Sequence, residues 1–199
     1  MEFVYVVKRY DLFDLSFPHG FRRPWEVPLP LWIERIRTRG FFVERRHAER
    51  DSALKQIIPY CVLLRGGEVF TMRRQKKGGE SRLFHKISIG VGGHINPVDR
   101  EDDPLAAGLH REIEEEVHIE GGYVEEPLGV INDESEEVGA VHFGLVFGVR
   151  PKGGVTIRET EQLEGGWVPV EELRARLAAD RAEFESWSAL ILDRISELV

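Results

Sequence analysis

The segment "HREIEEEVHI", residues 110–119, has glutamate at four of five consecutive positions, 112, 114, 115 and 116. On one helix, like charges three or four positions apart repel by about 0.2–0.5 kcal/mol per pair. Carboxylate oxygens are also the ligands that Mg²⁺ and Mn²⁺ prefer, with water and phosphate oxygens completing the shell. Two interpretations follow: a divalent cation offsets the repulsion, or the glutamates form a solvated acidic face.

A helix that carries these glutamates is predicted to begin at Pro104, with Asp103 as its N-cap, and to run to about Val117. Gly121 is the expected stop signal. The apolar stripe of this helix, which must pack on a sheet, is predicted to contain Ala106, Leu109, Ile113 and Val117.

The position of each glutamate around the helix follows from a rotation of about 100° per residue. Glu112 and Glu116 lie beside the apolar stripe, one turn apart, and Glu115 lies on the same side. Glu114 points away to solvent. The spacing therefore predicts that three carboxylates converge on one patch at the edge of the core.

The elements around this helix are of both types. Two β-rich segments flank Gly66-Gly67, which indicates a hairpin. Further strands are expected at "KISIGVGGHI", "PLGVIND", "VHFGLVFGVRP" and "GGWVPV", and helices at "EELRARLAAD" and "AEFESWSALILDRISELV". Strands and helices do not alternate regularly, so an α+β fold with helices on a mixed sheet is expected. Residues 1–54 are expected to be an N-terminal extension of strand, loop and short helix, and residues 55–199 the main domain.

Composition and charge narrow the function classes. The 199 residues carry a formal net charge of -8, which argues against a general binder of extended nucleic acid or anionic membranes. No apolar run approaches the roughly 20 residues of a membrane span. The single cysteine, Cys61, lies in the apolar run "IIPYCVLL" and is expected to be a buried structural thiol. A chain without an internal disulfide fits a cytoplasmic location.

The segment "GGHINPVDREDDPLAAGLHREIEEEVHI", residues 92–119, resembles the Nudix box of Nudix hydrolases. That box reads Gly, five residues, Glu, seven residues, then Arg-Glu-apolar-x-Glu-Glu-x-Gly-apolar. Its positions are matched by Gly93, Arg111, Glu112, Ile113, Glu115, Glu116 and Ile119. The resemblance covers roughly residues 55–198 and implies a Nudix-like mixed β-sheet packed between helices.

Two departures from the box are visible. The segment carries about four extra residues, so the first acid of the box falls on Asp99 when counted from Gly93 and on Asp103 when counted back from Arg111. His118 stands in place of the final glycine, which commonly ends a helix with positive φ. We interpret His118 as a shifted helix end, since no metal-ligand position of the box is changed.

The resemblance implies a metal-dependent hydrolase, using Mg²⁺ or Mn²⁺, that cleaves the diphosphate linkage of a nucleoside diphosphate derivative. Carried over by position, Glu115 and Glu116 are metal ligands, and Glu112 is a ligand or the base that acts on water. Arg111 orients the glutamates, and the carbonyl of Gly92 is a further candidate ligand.

Family members often add a carboxylate from a loop just before the closing strand. Glu161 is the best positional match for this additional catalytic carboxylate, and Glu164 is the second. Neither choice follows from spacing within the box, so both stay open at this stage.

A basic segment, "RRQKKGGESRLFHK", precedes the box. We interpret Arg74, Lys76 and Arg82 as candidate ligands of the substrate phosphates, with Arg74 the best single candidate because it ends a strand. A solvated basic loop is the alternative.

Two other functions fit the same residues. One is a non-catalytic binding module on a Nudix scaffold, and the other is an enzyme like isopentenyl-diphosphate isomerase, which needs a catalytic cysteine just after the strand that precedes the box. His94 and Ile95 occupy that region, and Cys61 lies elsewhere. The expected partner is a small-molecule diphosphate, without extended nucleic acid or membrane, and a homodimer is left open.

Overall fold

The computed structural model of the protein describes residues 1–14, 17–74, 86–99, 103–158 and 163–198, with only the main chain of Arg74 and Glu197. In these ranges the α-helices are α1 Arg9–Phe13, α2 Leu29–Arg39, α3 Arg45–Ala48, α4 Pro104–Glu116, α5 Glu137–Ala140, α6 Val170–Ala179 and α7 Ser186–Leu192. The strands are β1 Phe3–Lys8, β2 Gly20–Arg22, β3 Phe41–Glu44, β4 Leu54–Arg65, β5 Glu68–Arg74, β6 Ile87–Ser88, β7 Gly90–Gly92, β8 Val117–Ile119, β9 Tyr123–Asn132, β10 His142–Pro151, β11 Val155–Ile157 and β12 Leu163–Pro169. Short 3-10 turns lie at Pro97–Asp99, Arg181–Glu183 and Ile195–Glu197. None of the described helices is long and apolar enough to cross a membrane.

Strands that pair edge to edge and helices of one to three turns make this an α+β fold, as the sequence predicted. The chain divides into two compact units. The first contains Met1–Tyr60, Gly92–Glu112 and Pro127–Val146, and the second contains Cys61–Val91, Ile113–Glu126 and Phe147–Val199. The expected boundary at residue 54 stays a prediction.

In the first unit, β1 pairs antiparallel with β3 and with the start of β4, where Val6 lies opposite Gln56. The three-residue strand β2 pairs antiparallel with the end of β9. Alternate residues of β1 are β-branched and buried, as a strand packed on a core requires. Phe13, Trp32 and Phe143 make edge-to-face ring contacts with centroids 5.1–5.8 Å apart. The N-terminal segment therefore shares its core with β10.

In the second unit, β4 and β5 form the predicted hairpin, and Gly66 and Gly67 both take positive φ, 54° and 85°. A two-residue turn of this hand needs residues without a Cβ penalty, which explains the paired glycines. The strand β12 pairs antiparallel with β5 from Leu163 opposite Arg74 to Pro169 opposite Glu68. A separate two-stranded sheet joins β8 and β11.

Three expected elements differ from the prediction. The N-terminal extension, expected as strand, loop and short helix, contains the strands β1–β3 and the helices α1–α3. The expected strand "KISIGVGGHI" is divided into β6 and β7. The long C-terminal helix is shortened to α7, because Glu185 N donates to the carbonyl of Ile87 and Phe184 forms a parallel bridge with that residue. A tertiary hydrogen bond thus overrides the local helical pattern.

Candidate active site

The helix α4 begins where the sequence predicts. Pro104 is its first residue, and Asp103 Oδ1 accepts a hydrogen bond from the amide of Ala106 at 3.4 Å. The Asp103 carboxylate also receives Arg37 Nε at 3.3 Å, from the end of α2. Asp103 is therefore engaged in capping the helix and in an ion pair with the N-terminal segment.

Three of the four residues in the predicted apolar stripe, Leu109, Ile113 and Val117, are buried. Leu105, Leu109 and Ile113 are the buried apolar residues of the helix, whereas Ala106 is half-buried. Glu112 belongs to the same buried face, with only 9% of its surface exposed. Burial of a carboxylate costs free energy unless a cation or hydrogen-bond donor compensates its charge, so Glu112 requires such a partner.

The three candidate metal ligands differ in exposure: Glu112 is buried, Glu116 is half-buried and Glu115 is exposed. Within the described ranges, no three His, Cys, Asp or Glu side chains lie close enough together to hold a metal ion. The predicted convergence of three carboxylates is therefore not the arrangement seen. The Glu112 carboxylate is paired instead with the guanidinium of Arg111, at 2.8 Å.

Arg111 organises the buried side of the site. Its Nη1 donates to Glu112 Oε1 at 2.8 Å, and its Nε and Nη2 donate to the two oxygens of Asp99 at 2.9 and 3.1 Å. Its Nη2 also donates to the carbonyl of His94 at 2.8 Å. The hydrogen bonds to Asp99 hold the pKa of Arg111 above its ordinary value, so the guanidinium stays charged.

The side-chain contacts of Asp99 and Asp103 distinguish the two candidates for the first acid of the box. Asp99 is 4% exposed and forms a bidentate pair with Arg111, while its Oδ2 also accepts from the amide of Asn96 at 2.8 Å. Asp103 pairs with Arg37 instead. Counting from Gly93 therefore identifies the acid that reaches Arg111, and the extra residues of the box lie between Asp99 and the helix.

The paired glycines of the box are required by close contacts. A Cβ on Gly93 would lie 2.5–2.6 Å from the carboxylate atoms of Glu112. A Cβ on Gly92, the last residue of β7, would collide with the carbonyl oxygen of Pro59. The absence of a side chain at Gly93 thus creates the space in which the Glu112 carboxylate lies against the main chain.

A histidine pair lies beside this space, and the sequence does not reveal it. His94 Nε2 and His142 Nε2 are 3.2 Å apart, although the residues are separated by 48 positions. Burial, together with the neighbouring His142, lowers the pKa of His94 to about 3. Burial likewise lowers the pKa of His142. The His94 ring therefore has a hydrogen-bond partner in the first residue of β10.

The C-terminal end of α4 has a partner that the sequence pattern did not indicate. Arg158 N donates to the carbonyl of Glu116 at 2.9 Å, and Arg158 Nε donates to the carbonyl of Val117 at 3.3 Å. The positive charge of Arg158 stabilises the negative C-terminal end of the helix dipole. The glutamates add further negative charge at the same end.

His118 follows the helix in extended backbone. It lies in β8 opposite Thr156, and among the described non-glycine residues only Asp14 has a positive φ. The helix ends at Glu116, and the chain turns later, at Gly121 and Gly122, whose φ values are 70° and 78°. The final glycine of the box is replaceable because no left-handed residue is needed at that position.

Several predicted site residues cannot be compared with the structure. Lys76, Arg82 and Glu161 lie outside the described residues. Arg74 is described by its main chain alone, as the last residue of β5, opposite Leu163. Glu164, the second candidate for the additional carboxylate, is exposed and lies opposite Arg73 in the β5–β12 pairing.

Comparison with known proteins decides the family. The sequence model of the NUDIX domain matches residues 55–188. The chain belongs to the Nudix family. It is 39% identical to Protein YmaB of Bacillus subtilis (strain 168) over 158 residues, which are 76% of this chain and 76% of that protein.

Solved structures agree with this membership. The chain is similar to Tm1382, a candidate Nudix hydrolase, with a TM-score of 0.79, 30% identity and full coverage of both chains. DR0079 from Deinococcus radiodurans is 21% identical, with a TM-score of 0.54 over 77% of this chain and 90% of that one, and shows the fold alone. The α+β class expected from the sequence is confirmed, and the chain is a Nudix-type hydrolase.

Proposed function

We propose that this Nudix hydrolase uses Mg²⁺ or Mn²⁺ to cleave the diphosphate linkage of a nucleoside diphosphate derivative. The observation that carries the proposal is the buried Glu112 carboxylate, held between Arg111 and the space above Gly93. Glu115 and Glu116 follow on the same helix. A Nudix-type hydrolase with this set of acids has the ligands that a hard cation and a small diphosphate require.

The residues present fit a divalent cation. The Glu112 carboxylate occupies a space that a Cβ on Gly93 would fill, so the chain reserves that space for carboxylate oxygens. Mg²⁺ commonly takes only one or two carboxylates and keeps several waters, so three protein carboxylates need not converge. The ligands of the ion would be drawn from Glu112, Glu115, Glu116 and the carbonyl of Gly92, with water completing the shell.

The charge and position of each group indicate its role in hydrolysis. The cation, when bound, neutralises the diphosphate and lowers the pKa of its bound water. Glu112 serves as a ligand or takes the proton of the attacking water. Arg111 orients Glu112 through the 2.8 Å hydrogen bond, and Asp99 keeps that guanidinium in place. Glu116 follows Glu112 by one helical turn.

The flanks of the segment that contains Glu161 support its assignment as an additional catalytic carboxylate. Arg158 is hydrogen-bonded to the carbonyl of Glu116, and Leu163 is paired with Arg74. The same pairing supports Arg74 as a phosphate ligand, with Lys76 and Arg82 following it in sequence.

Cys61 bears on the isomerase alternative. It is fully buried in β4, and a nucleophile or proton donor must reach its substrate. The hydrolase is therefore the better proposal. A cytoplasmic location, a homodimer and the absence of extended nucleic acid as a partner stay predictions.

A phosphate-release screen across nucleoside diphosphate derivatives, with Mg²⁺ and with Mn²⁺, tests the proposal. On the substrate found, Glu116→Gln should lower turnover by at least about 100-fold, because a charged ligand of the cation is lost. Glu114→Gln is the matched control, since Glu114 is exposed on the same helix, and should stay within a few-fold of wild type.

Two outcomes would count against the proposal. Wild-type turnover in Glu116→Gln would show that the acidic end of α4 does not supply a metal ligand. Absence of metal-dependent phosphate release from every derivative in the screen would favour a binding module.

A further inference from the structure

We propose that His142 is a positioning residue of this hydrolase: through His94, it holds the main chain of the Gly92–His94 turn against Arg111. His142 lies at the start of β10, outside the Nudix box, and nothing in its local sequence marks it as part of the site. The proposal rests on the proposed function for its effect on turnover, but its structural part can be tested without substrate.

The direction of each hydrogen bond follows from the chemistry of the two rings. His142 Nδ1 is 2.6 Å from the carbonyl oxygen of Val138, and a carbonyl only accepts, so Nδ1 carries the proton. With His142 neutral, its Nε2 is then an acceptor. His94 Nε2, 3.2 Å away, must therefore be protonated and donate. The pair has one defined tautomer at each residue.

In this chain of hydrogen bonds, His94 links the histidine pair to the guanidinium of Arg111. The carbonyl of His94 accepts from Arg111 Nη2 at 2.8 Å, and Arg111 in turn holds Glu112 and Asp99. His94 follows Gly93, over which the Glu112 carboxylate lies. A change in the orientation of the His94 ring would be transmitted to both its own carbonyl and Gly93, since the three groups are covalently adjacent.

The anchor end of the chain is itself well fixed. The carbonyl of His142 accepts from Lys55 Nζ at 3.3 Å, and Lys55 is fully buried. Val138 lies in the short helix α5, whose Gly139 carbonyl also accepts from Lys55 at 3.3 Å. His142 thus connects a rigid buried centre to the turn, which is the property that a positioning residue needs.

The neighbouring turn has a second support on its other side. The carbonyl of Ile95 accepts from the amide of Tyr5 in β1 at 2.9 Å. Ile95 is fully buried, so its main chain has little freedom. His94 lies between this support and the two glycines, and its side chain adds the contact with His142.

The first test is spectroscopic and uses the full chain labelled with ¹⁵N. Two-bond ¹⁵N–¹H spectra should show His142 as the Nδ1–H tautomer and His94 as the Nε2–H tautomer. Either ring in the opposite tautomer would overturn the proposed direction of the chain. This readout needs neither metal nor substrate, so it is independent of the proposed function.

The second test replaces His142 in ways that separate hydrogen bonding from packing. His142→Leu removes the acceptor for His94, whereas the side-chain carbonyl of His142→Gln can replace it. The Arg111 Nε–H signal should move in His142→Leu and stay near its wild-type position in His142→Gln. His47→Leu, at a 66% exposed histidine beside Glu44, is the control and should leave the signal unchanged.

The third test measures Mn²⁺ binding by titration calorimetry, and turnover on the substrate from the screen. His142→Leu should weaken one or both by about 10- to 100-fold, the range typical for groups that orient metal ligands. His142→Gln should recover to within about threefold. Equal Mn²⁺ binding and turnover in His142→Leu and wild type would overturn the proposal, as would a His142→Gln variant as impaired as His142→Leu.

The design keeps the two proposals distinguishable. If wild type releases no phosphate but the tautomers and the Arg111 signal behave as stated, the proposed function fails and the positioning role stands. If His142→Leu does not fold, the comparison moves to His142→Asn, which keeps the bond to Val138 but not the acceptor for His94. A wild-type Arg111 signal in folded His142→Asn would then overturn the positioning role.

Discussion

At the scale of single residues, the site is organised by one guanidinium. Arg111 contacts Asp99, Glu112 and the carbonyl of His94, and it is only partly exposed. Hydrogen bonds in which the donor or the acceptor is ionised are about twice as strong as neutral ones, so three such contacts on one planar group fix its orientation. Arg111 holds Glu112, and Arg111 is itself oriented by Asp99, an acid whose match to the motif was ambiguous in the sequence.

The roles of the two candidate acids can be separated by isosteric substitution. Asp99→Asn should lower turnover by about 10- to 100-fold, since it weakens the bidentate pair that orients Arg111. Asp103→Asn should stay within a few-fold of wild type, because asparagine caps a helix as well as aspartate does. Steady-state kinetics on the substrate from the screen measures both. The opposite order of effects would show that Asp103, and not Asp99, supports the site.

At the scale of elements, the helix α4 carries like charge near its C-terminal end and is stabilised there by Arg158. The sequence indicates the start of this helix because an aspartate followed by proline is a local signal. The C-terminal end of the helix depends on residues about 40 positions later: Ile157 of β11 pairs with Val117, and Arg158 donates to the carbonyl of Glu116. The compensation for the acidic charge is therefore tertiary.

Binding of Mg²⁺ at α4 should increase the thermal stability of the protein. Millimolar Mg²⁺ should raise the melting temperature of wild type, because a ligand that binds only the folded state stabilises it, by about 2.7 kcal/mol at a hundredfold excess over Kd. Glu115→Gln/Glu116→Gln should lose that response while keeping the Glu112–Arg111 pair. In chelator, the double variant should melt no lower than wild type, since repulsion has been removed.

Thermal melts at fixed ionic strength, with chelator and with Mg²⁺, measure this response. Glu114→Gln is again the control and should respond to Mg²⁺ as wild type does. Identical Mg²⁺ responses in wild type and in the double variant would exclude these two glutamates as ligands.

At the scale of the whole molecule, the N-terminal segment belongs to the same compact unit as residues 92–112 of the Nudix box. Lys55 is the clearest link: its Nζ is fully buried and donates to Asn132 Oδ1 at 2.8 Å and lies 3.0 Å from Glu134 Oε1. Glu134 also pairs with Arg9, and Asn132 donates to the carbonyl of Pro18. A buried lysine thus joins residues on both sides of the family boundary.

Removal of that lysine should destabilise the protein without touching the proposed ligands. Lys55→Met should cost about 3 kcal/mol, the lower end of the range for breaking a buried ion pair, since Glu134 retains 24% exposure and can rehydrate. Urea unfolding measures the difference. Lys8→Met is the matched control, an exposed lysine on the neighbouring strand β1, and should change stability by less than about 0.5 kcal/mol. Equal effects of the two substitutions would contradict a structural role for Lys55.

Features that depend on short-range chemistry can be predicted from the amino-acid sequence alone. The Asp103-Pro104 start of α4, the Gly66-Gly67 hairpin and the acid spacing of the box are each encoded within a few residues. Such signals act through local backbone preference and side-chain spacing, which do not depend on the path of the rest of the chain. The α+β class and the Nudix family followed from them.

Which polar groups contact each other depends on tertiary packing. It pairs Asp99 with Arg111, His94 with His142, and the carbonyl of Glu116 with Arg158. It also ends the last helix early, since Glu185 N is taken by the carbonyl of Ile87. These contacts join residues that are 12 to nearly 100 positions apart, and their formation depends on how the strands between them are ordered. No local pattern of charge or hydrophobicity carries that information, because buried polar groups take the partners that the folded main chain brings to them.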